Sequence, residues 1–233
     1  MEKSHLLLVP GLLCDEALWD PQLRLLSDIS RMTVGETRLD DSFPEMATRI
    51  LASAPDRFSL AGLSMGGYVC MEIMAQAPER VERLALFDTS ARADSPDQTR
   101  RRKALIELAS IGKFKGVTPR LLPLLIHSDR RSDETLTQSI IDMAGRIGQD
   151  GFLRQQTAIM NRPDRRGEIT SYEIPTMIVC GRQDALTPVD LHEEMADLIP
   201  EARLCIIEEC GHLPTLERPY AATALMRDWL LRN

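Results

Sequence analysis

The chain has no apolar run near the roughly 18 residues that a membrane span needs. Its first apolar run, Leu6-Leu7-Leu8-Val9, is cut by Pro10-Gly11 and followed by Asp15-Glu16, with no small-residue cleavage site, so no secretory leader is expected. It also has no C-x-x-C pair. Its five cysteines (Cys14, Cys70, Cys180, Cys205, Cys210) are odd in number and scattered. That excludes a fully paired disulfide framework and points to reduced, mostly buried thiols in a cytoplasmic protein. Positive charge is not in excess: 28 Lys and Arg against 35 Asp and Glu leave a net −7, which argues against a nucleic-acid partner. Repeats, low-complexity tracts and linkers are missing too. What remains, 233 residues at 43% hydrophobic and 27% charged, suits one globular domain over 1–233 with a sizeable core.

The stretch that organises this chain is Phe58-Ser59-Leu60-Ala61-Gly62-Leu63-Ser64-Met65-Gly66-Gly67, which runs on into Tyr68-Val69-Cys70-Met71-Glu72-Ile73-Met74. It reads as a buried strand, a tight turn with Ser64 at its apex, and a helix leaving the turn. Gly62 and Gly66 stand where side chains would collide with the neighbouring strand and helix. The helix start behind Ser64 presents free N–H groups, Met65 first, to any negative charge that develops there. Chance alone produces G-x-S-x-G in on the order of one in ten chains of this length. Partner residues therefore have to decide what the turn is for.

Read in order, His5–Val9 is a strand and a helix runs from Trp19 to Leu26. A short strand covers Met32–Glu36, a helix Phe43–Ala54, then come the Phe58–Gly62 strand and its helix up to Ala77-Pro78. Arg83–Asp88 is the next strand, and Thr176–Cys180 the one after. A parallel crossover needs only about a dozen residues, so the intervening stretch carries an insertion. Its patterns are helical: Leu105, Leu108, Ile111; Ile140, Met143, Ile147; Phe152, Ala158, Ile159. Thr118-Pro119 and Ser132-Asp133-Glu134 are helix starts. We expect a helical cap over 92–172. A helix over Leu191–Ile199, a strand over Ala202–Ile207 and a helix opened by Pro219 complete an α/β alternation, which means a doubly wound, mostly parallel sheet.

A serine hydroxyl attacks at neutral pH only with an imidazole to take its proton and a carboxylate to orient and stabilise that imidazole. Among four histidines, His212 sits just past the last strand behind Gly211. His5 opens a strand, His127 falls in the insertion and His192 lies on a helix, where surface or packing roles are expected. The acid is expected at Asp184, straight after the Thr176–Cys180 strand. Asp88 is the rival, since it too ends a strand, with turn capping as its alternative role. Cys14 and Cys210 lie nearby but off the turn, and are read as inert buried thiols.

The Ser64 turn resembles the nucleophile elbow of the α/β-hydrolase superfamily. Gly181-Arg182-Gln183-Asp184 through Pro188 and Gly211-His212 through Glu217 and Pro219 resemble its G-x-x-D-x-x-x-P and G-H-x-x-x-x-E-x-P segments. With three motifs in the order Ser, acid, His, each after an expected strand, the resemblance covers nearly the whole chain. The resemblance implies an α/β-hydrolase fold trimmed by two strands to about six, with a helical cap. It implies a catalytic triad of Ser64, Asp184 and His212, and an oxyanion hole of the Leu12 and Met65 N–H groups. Most relatives carry His-Gly where this chain has Pro10-Gly11, which leaves the backbone donor in place and alters its surroundings. No metal or organic cofactor is implied. The resemblance is to small serine esterases and enol-lactonases cleaving an ester-like bond of a small molecule. The same triad also serves carbon–carbon bond hydrolases, perhydrolases and a lyase-type synthase, and a slow-turnover signalling or binding protein is the alternative of another class.

Charge adds one expectation about the substrate. Residues 92–172 hold 15 Lys and Arg against 10 Asp and Glu, which leaves 13 against 25 for the rest. A cap of +5 over a body of −12 would steer a carboxylate-bearing substrate to the cleft, or simply neutralise the acidic face beneath it. Arg100-Arg101-Arg102-Lys103 reads as a solvated helix face, and Arg162 as either a pocket cation or an anchor of the cap. No sequence feature bears on oligomeric state.

Overall fold

The computed structural model describes residues 3–232. Its four central strands are apolar on both faces, which is what burial under helices on two sides demands. In β1 (Ser4–Val9) Leu6 and Leu8 enter one core and Leu7 and Val9 the other. The same alternation divides β3 (Phe58–Leu63), β4 (Val81–Phe87) and β5 (Thr176–Gly181) between the two cores. With β2 (Ser30–Val34) and β6 (Arg203–Ile207) at the edges they form one six-stranded parallel sheet in the order β2-β1-β3-β4-β5-β6.

Helices α2 (Phe43–Ser53), α3 (Met65–Gln76) and α7 (Val189–Leu198) contribute Met46, Ile73 and Met195 to one core. On the other face α9 (Pro219–Leu231) brings Met226 and Trp229 against Leu18 and Trp19 of the 3-10 turn Glu16–Trp19. That turn and α1 (Asp20–Leu25) stand where a single helix over Trp19–Leu26 was expected. Pro21 cannot donate back to Ala17, so the chain restarts. The second strand lies two residues earlier than expected. At Gly35 the chain leaves the sheet under α2, where a Cβ would meet Ile50 Cδ1 at 2.8 Å.

Between β4 and β5 lie α4 (Pro96–Leu108), a π-turn over Ala109–Lys113, the short α5 (Leu122–Leu125) and α6 (Glu134–Met160). The two apolar patterns read in α6 are its two arms, broken at Gly148 (φ 69°, ψ −177°). Asp133 caps it, its side chain accepting the Leu136 N–H. Thr118-Pro119 opens a turn, and the short helix begins only at Leu122. The first pattern holds a difference. Leu105, Leu108 and Ile111 are exposed, and α4 buries no residue at all. Helical spacing identifies a helix there without giving it a neighbour. Among the described residues no helix is long and apolar enough to cross a membrane. The short α8 (Pro214–Glu217) precedes α9.

Candidate active site

The chain goes from β1 to β2 on one side of the sheet and returns to β3 on the other. The cleft at such a reversal opens at the carboxyl ends of β1 and β3. Ser64 stands at the end of β3 with φ 56° and ψ −117°, a conformation held by its surroundings. Its N–H donates to Phe87 O, and its carbonyl accepts from the Thr89 hydroxyl at 2.8 Å. The glycines permit the turn by close approach. A Cβ on Gly66 would lie 2.1 Å from Val9 O, and one on Gly62 2.4 Å from Gly66 O. Leu13 (φ 59°) and Asp88 (φ 42°), after β1 and β4, share the left-handed backbone. Strain of this kind collects at functional sites.

Ser64, His212 and Asp184 come together. His212 Nε2 lies 2.9 Å from Ser64 Oγ, and Nδ1 lies 2.7 Å from Asp184 Oδ2. Asp184 also accepts the Thr187 hydroxyl at 2.6 Å and the N–H groups of Leu186 (2.8 Å) and Thr187 (3.1 Å). Burial raises the Asp184 carboxyl, but His212 beside it and these donors outweigh burial and hold it below the usual carboxylate range. His212 and Asp184 are buried, whereas Ser64 keeps partial access to solvent. Asp88, the rival acid, has no direct bond to His212; its Oδ1 accepts the Gly181 N–H at 2.9 Å. Asp88, Asp184 and His212 lie within 4.8 Å of one another, a spacing a metal could use. Both His212 nitrogens are engaged, however, so ligation would displace either Asp184 from Nδ1 or Ser64 from Nε2.

The loop after β1 lies beside the serine: a Cβ on Gly11 would come 3.3 Å from Ser64 Cβ. Leu13 N–H donates to Gln155 Oε1 of α6 at 3.0 Å, while Leu12 N–H has no acceptor among the described residues. Met65 opens α3, where first-turn N–H groups lack intrahelical partners. Neither the Leu12 nor the Met65 N–H is thus taken up by an acceptor among the described residues, and free donors are what an oxyanion site requires. Gln155 escapes a reading by sequence, since a helical glutamine gives no signal. It is fully buried, and its Nε2 donates to Thr37 O and Oγ1, so the insertion grips two loops of the body. Glu217 was legible as a motif member but not in its role. Its buried carboxylate accepts the N–H groups of Gly211 (3.0 Å) and Leu213 (3.0 Å) on either side of His212, and that of His127 in the insertion (2.7 Å).

The other candidates stand apart. Burial, then the charge of Asp15, pushes the Cys14 thiol up to about 12, and burial raises Cys210 likewise, so neither is a ready nucleophile. His5 is half-buried beside Thr33, and His127 faces Asp129. His192 is fully buried, with Nε2 accepting the Thr89 N–H at 3.0 Å. Arg162 ties the two ends of the insertion together and touches the body at Tyr68. It pairs with Asp94, donates to Arg92 O, and lies 4.4 Å over the Tyr68 ring. Arg102 is turned inward to Asp94 and Gln156, while Arg100, Arg101 and Lys103 are exposed.

A family model described as alpha/beta hydrolase fold matches residues 40–219. Among curated proteins, the chain is 28% identical over 187 residues to the pimeloyl-[acyl-carrier protein] methyl ester esterase of Nitrosomonas europaea, covering 77% of this chain and 73% of that one. Among solved structures, it is similar to a malate-bound thermophilic esterase from Thermogutta terrifontis, with TM-score 0.87, 28% identity, and coverage of 97% and 89%. The enol-lactonase of Burkholderia xenovorans LB400 also superposes with TM-score 0.87, at 24% identity over 99% and 92% of the two chains. At that identity the likeness speaks for the fold alone.

Proposed function

The chain belongs to the alpha/beta hydrolase fold family, and on that premise we propose that it is a serine hydrolase cleaving an ester-like bond of a small molecule through an acyl-enzyme. The observation that carries this reading is the unbroken chain of hydrogen bonds from Ser64 Oγ through His212 to Asp184. Ser64 Oγ attacks the ester carbonyl as its proton passes to His212 Nε2, and Asp184 stabilises the imidazolium through Nδ1–H. The tetrahedral oxyanion is held by the Leu12 and Met65 N–H groups; one such donor supplies about 3–4 kcal/mol. His212 returns the proton to the leaving alkoxide, then deprotonates the water that releases the acid. Relatives named as esterases, one of them a methyl ester esterase, support ester chemistry over the fold's other reactions.

The helical segment 92–172 is read as the cap over this site, tied to the body at Gln155, His127 and Arg146, which pairs with Asp15. Its excess positive charge is largely spent on such ties. Arg92 pairs with Glu194 and Arg165 with Glu72, which favours neutralisation over steering. The malate in the Thermogutta esterase keeps a carboxylate-bearing substrate open to test, by comparing free-acid and methyl-ester forms of one substrate at low salt. The five free cysteines fit a cytoplasmic setting.

The test of the mechanism is rapid mixing with a p-nitrophenyl ester. A burst of p-nitrophenol equal to the enzyme concentration, absent in Ser64→Ala, is expected. Unchanged turnover in Ser64→Ala would end the reading.

A further inference from the structure

Asp88 closes β4 with a fully buried side chain. Its Oδ1 accepts one N–H, from Gly181, and its Oδ2 is buried with no donor from the described residues. Yet its carboxyl, the Asp184 carboxyl and His212 lie within 4.8 Å of one another. Two ionised carboxylates this close and this dry are not both sustained, so one proton must be held between them. Asp184 has an imidazole, a hydroxyl and two N–H groups to stabilise its charge, while Asp88 has one N–H.

We propose that Asp88 is a neutral carboxylic acid whose O–H donates to Asp184, bracing that carboxylate while it holds His212. Oδ2 then stops being an orphan, because it carries the donor. Burial first, and the neighbouring Asp184 charge second, push the Asp88 carboxyl well above the usual range, and the Glu217 charge adds to this. Apart from His212, which is bound to Asp184, the remaining titratable neighbours bring no positive charge. Cys180 and Cys210 are buried thiols raised by burial, and His192, behind Thr89, is held neutral by burial. Asp88 touches neither substrate nor a reacting atom, so it is a positioning residue. Its kinetic consequences rest on the serine-hydrolase reading; its protonation does not.

The sign of the effect follows from the shared proton. An O–H on Asp184 draws off part of the negative charge facing His212. Without it, Asp184 stabilises the imidazolium more strongly, and the acid limb of kcat/KM moves up. Asparagine keeps the geometry, since its NH2 can donate to Asp184 and its oxygen can accept from Gly181. Leucine keeps the volume and supplies neither.

The experiment joins an infrared measurement to pH–rate profiles with p-nitrophenyl acetate. Wild type at neutral pH should show the carbonyl stretch of a buried protonated carboxyl, missing from Asp88→Asn. Asp88→Asn should stay within about fivefold of wild-type kcat/KM, whereas Asp88→Leu should lose about ten- to a hundredfold and shift its acid limb upward. Asp184→Asn should lose about 10⁴-fold. Absence of the infrared band in wild type overturns the proposal. So does a collapse of Asp88→Asn with Asp184→Asn still active, which would make Asp88 the triad acid. If Ser64→Ala kept its activity, the serine reading would fall while the infrared band still decided the state of Asp88.

Discussion

Glu217 Oε2 lies 2.7 Å from the backbone nitrogen of His127, so the carboxylate that holds the loop of His212 also holds the helical insertion. The two segments are pressed together at this point. A Cβ on Gly211 would meet His127 N at 2.9 Å, and His212 N–H donates to Leu125 O. Loop and insertion are thus positioned by one buried anion that receives N–H groups from both.

Glu217→Gln sets an amide NH2 against one of those N–H donors. Bonds to a charged group contribute about 1.5–3 kcal/mol each. We expect a loss of about 2–4 kcal/mol in stability and at least about a tenfold fall in kcat, as the His212 loop loosens. Thermal melts and steady-state kinetics measure both, and wild-type values in each would remove Glu217 from this role.

Gln155→Leu strands the Leu13 N–H beside the loop proposed to hold the oxyanion and releases Thr37. The expected cost is about 1–3 kcal/mol of stability. The kcat for an ester should fall by more than KM rises, because a displaced Leu12 donor is felt most in the transition state. A pure KM effect would place Gln155 in substrate binding instead.

Two glycines should respond in opposite directions. Gly66→Ala drives a methyl to 2.1 Å from Val9 O, where the neighbour is backbone. A loss above about 4 kcal/mol, or failure to fold, is expected. A Cβ on Gly145, within α6, meets nothing within 4 Å. Gly145→Ala should therefore stabilise by about 0.5–1 kcal/mol. Urea midpoints give both values.

His192 makes stability depend on pH. Burial lowers it to about 4, below its unfolded value of 6.5, so between those limits the unfolded chain binds the proton and the native one does not. Stability should fall as pH drops from about 6.5 to about 4. His192→Gln keeps an acceptor for the Thr89 N–H and should remove that part of the slope, at some cost in overall stability. The difference between the two slopes, from urea titrations, isolates the effect from Asp88 and Asp184. Identical slopes would contradict a buried neutral His192.

Much of this architecture was readable from residue order. The apolar runs at Leu6–Val9, Phe58–Leu63 and Thr176–Cys180 admit little but buried strands, and the turn at Ser64 needs both its glycines. His212 and Asp184 could be placed because each follows a strand and carries its own glycine or proline punctuation. What escaped depends on contacts made across the chain. Gln155 lies 142 residues from Leu13, and no local pattern announces that pair. Leu105, Leu108 and Ile111 repeat like a buried face yet lie in the open, because period identifies a helix and not its neighbour. Asp88 and Asp184 each end a strand; only their three-dimensional surroundings distinguish a neutral acid from an ionised one.

Everything proposed for this site turns on Ser64 being a nucleophile activated by His212. The most direct measurement of that role is the second-order rate of fluorophosphonate labelling across pH, read by intact mass, for wild type, Ser64→Ala and His212→Gln. A single adduct on Ser64 is expected in wild type, none in Ser64→Ala, and labelling slowed by at least about 10³-fold in His212→Gln. Wild type that stays unlabelled, or His212→Gln that labels at the wild-type rate, would contradict that role.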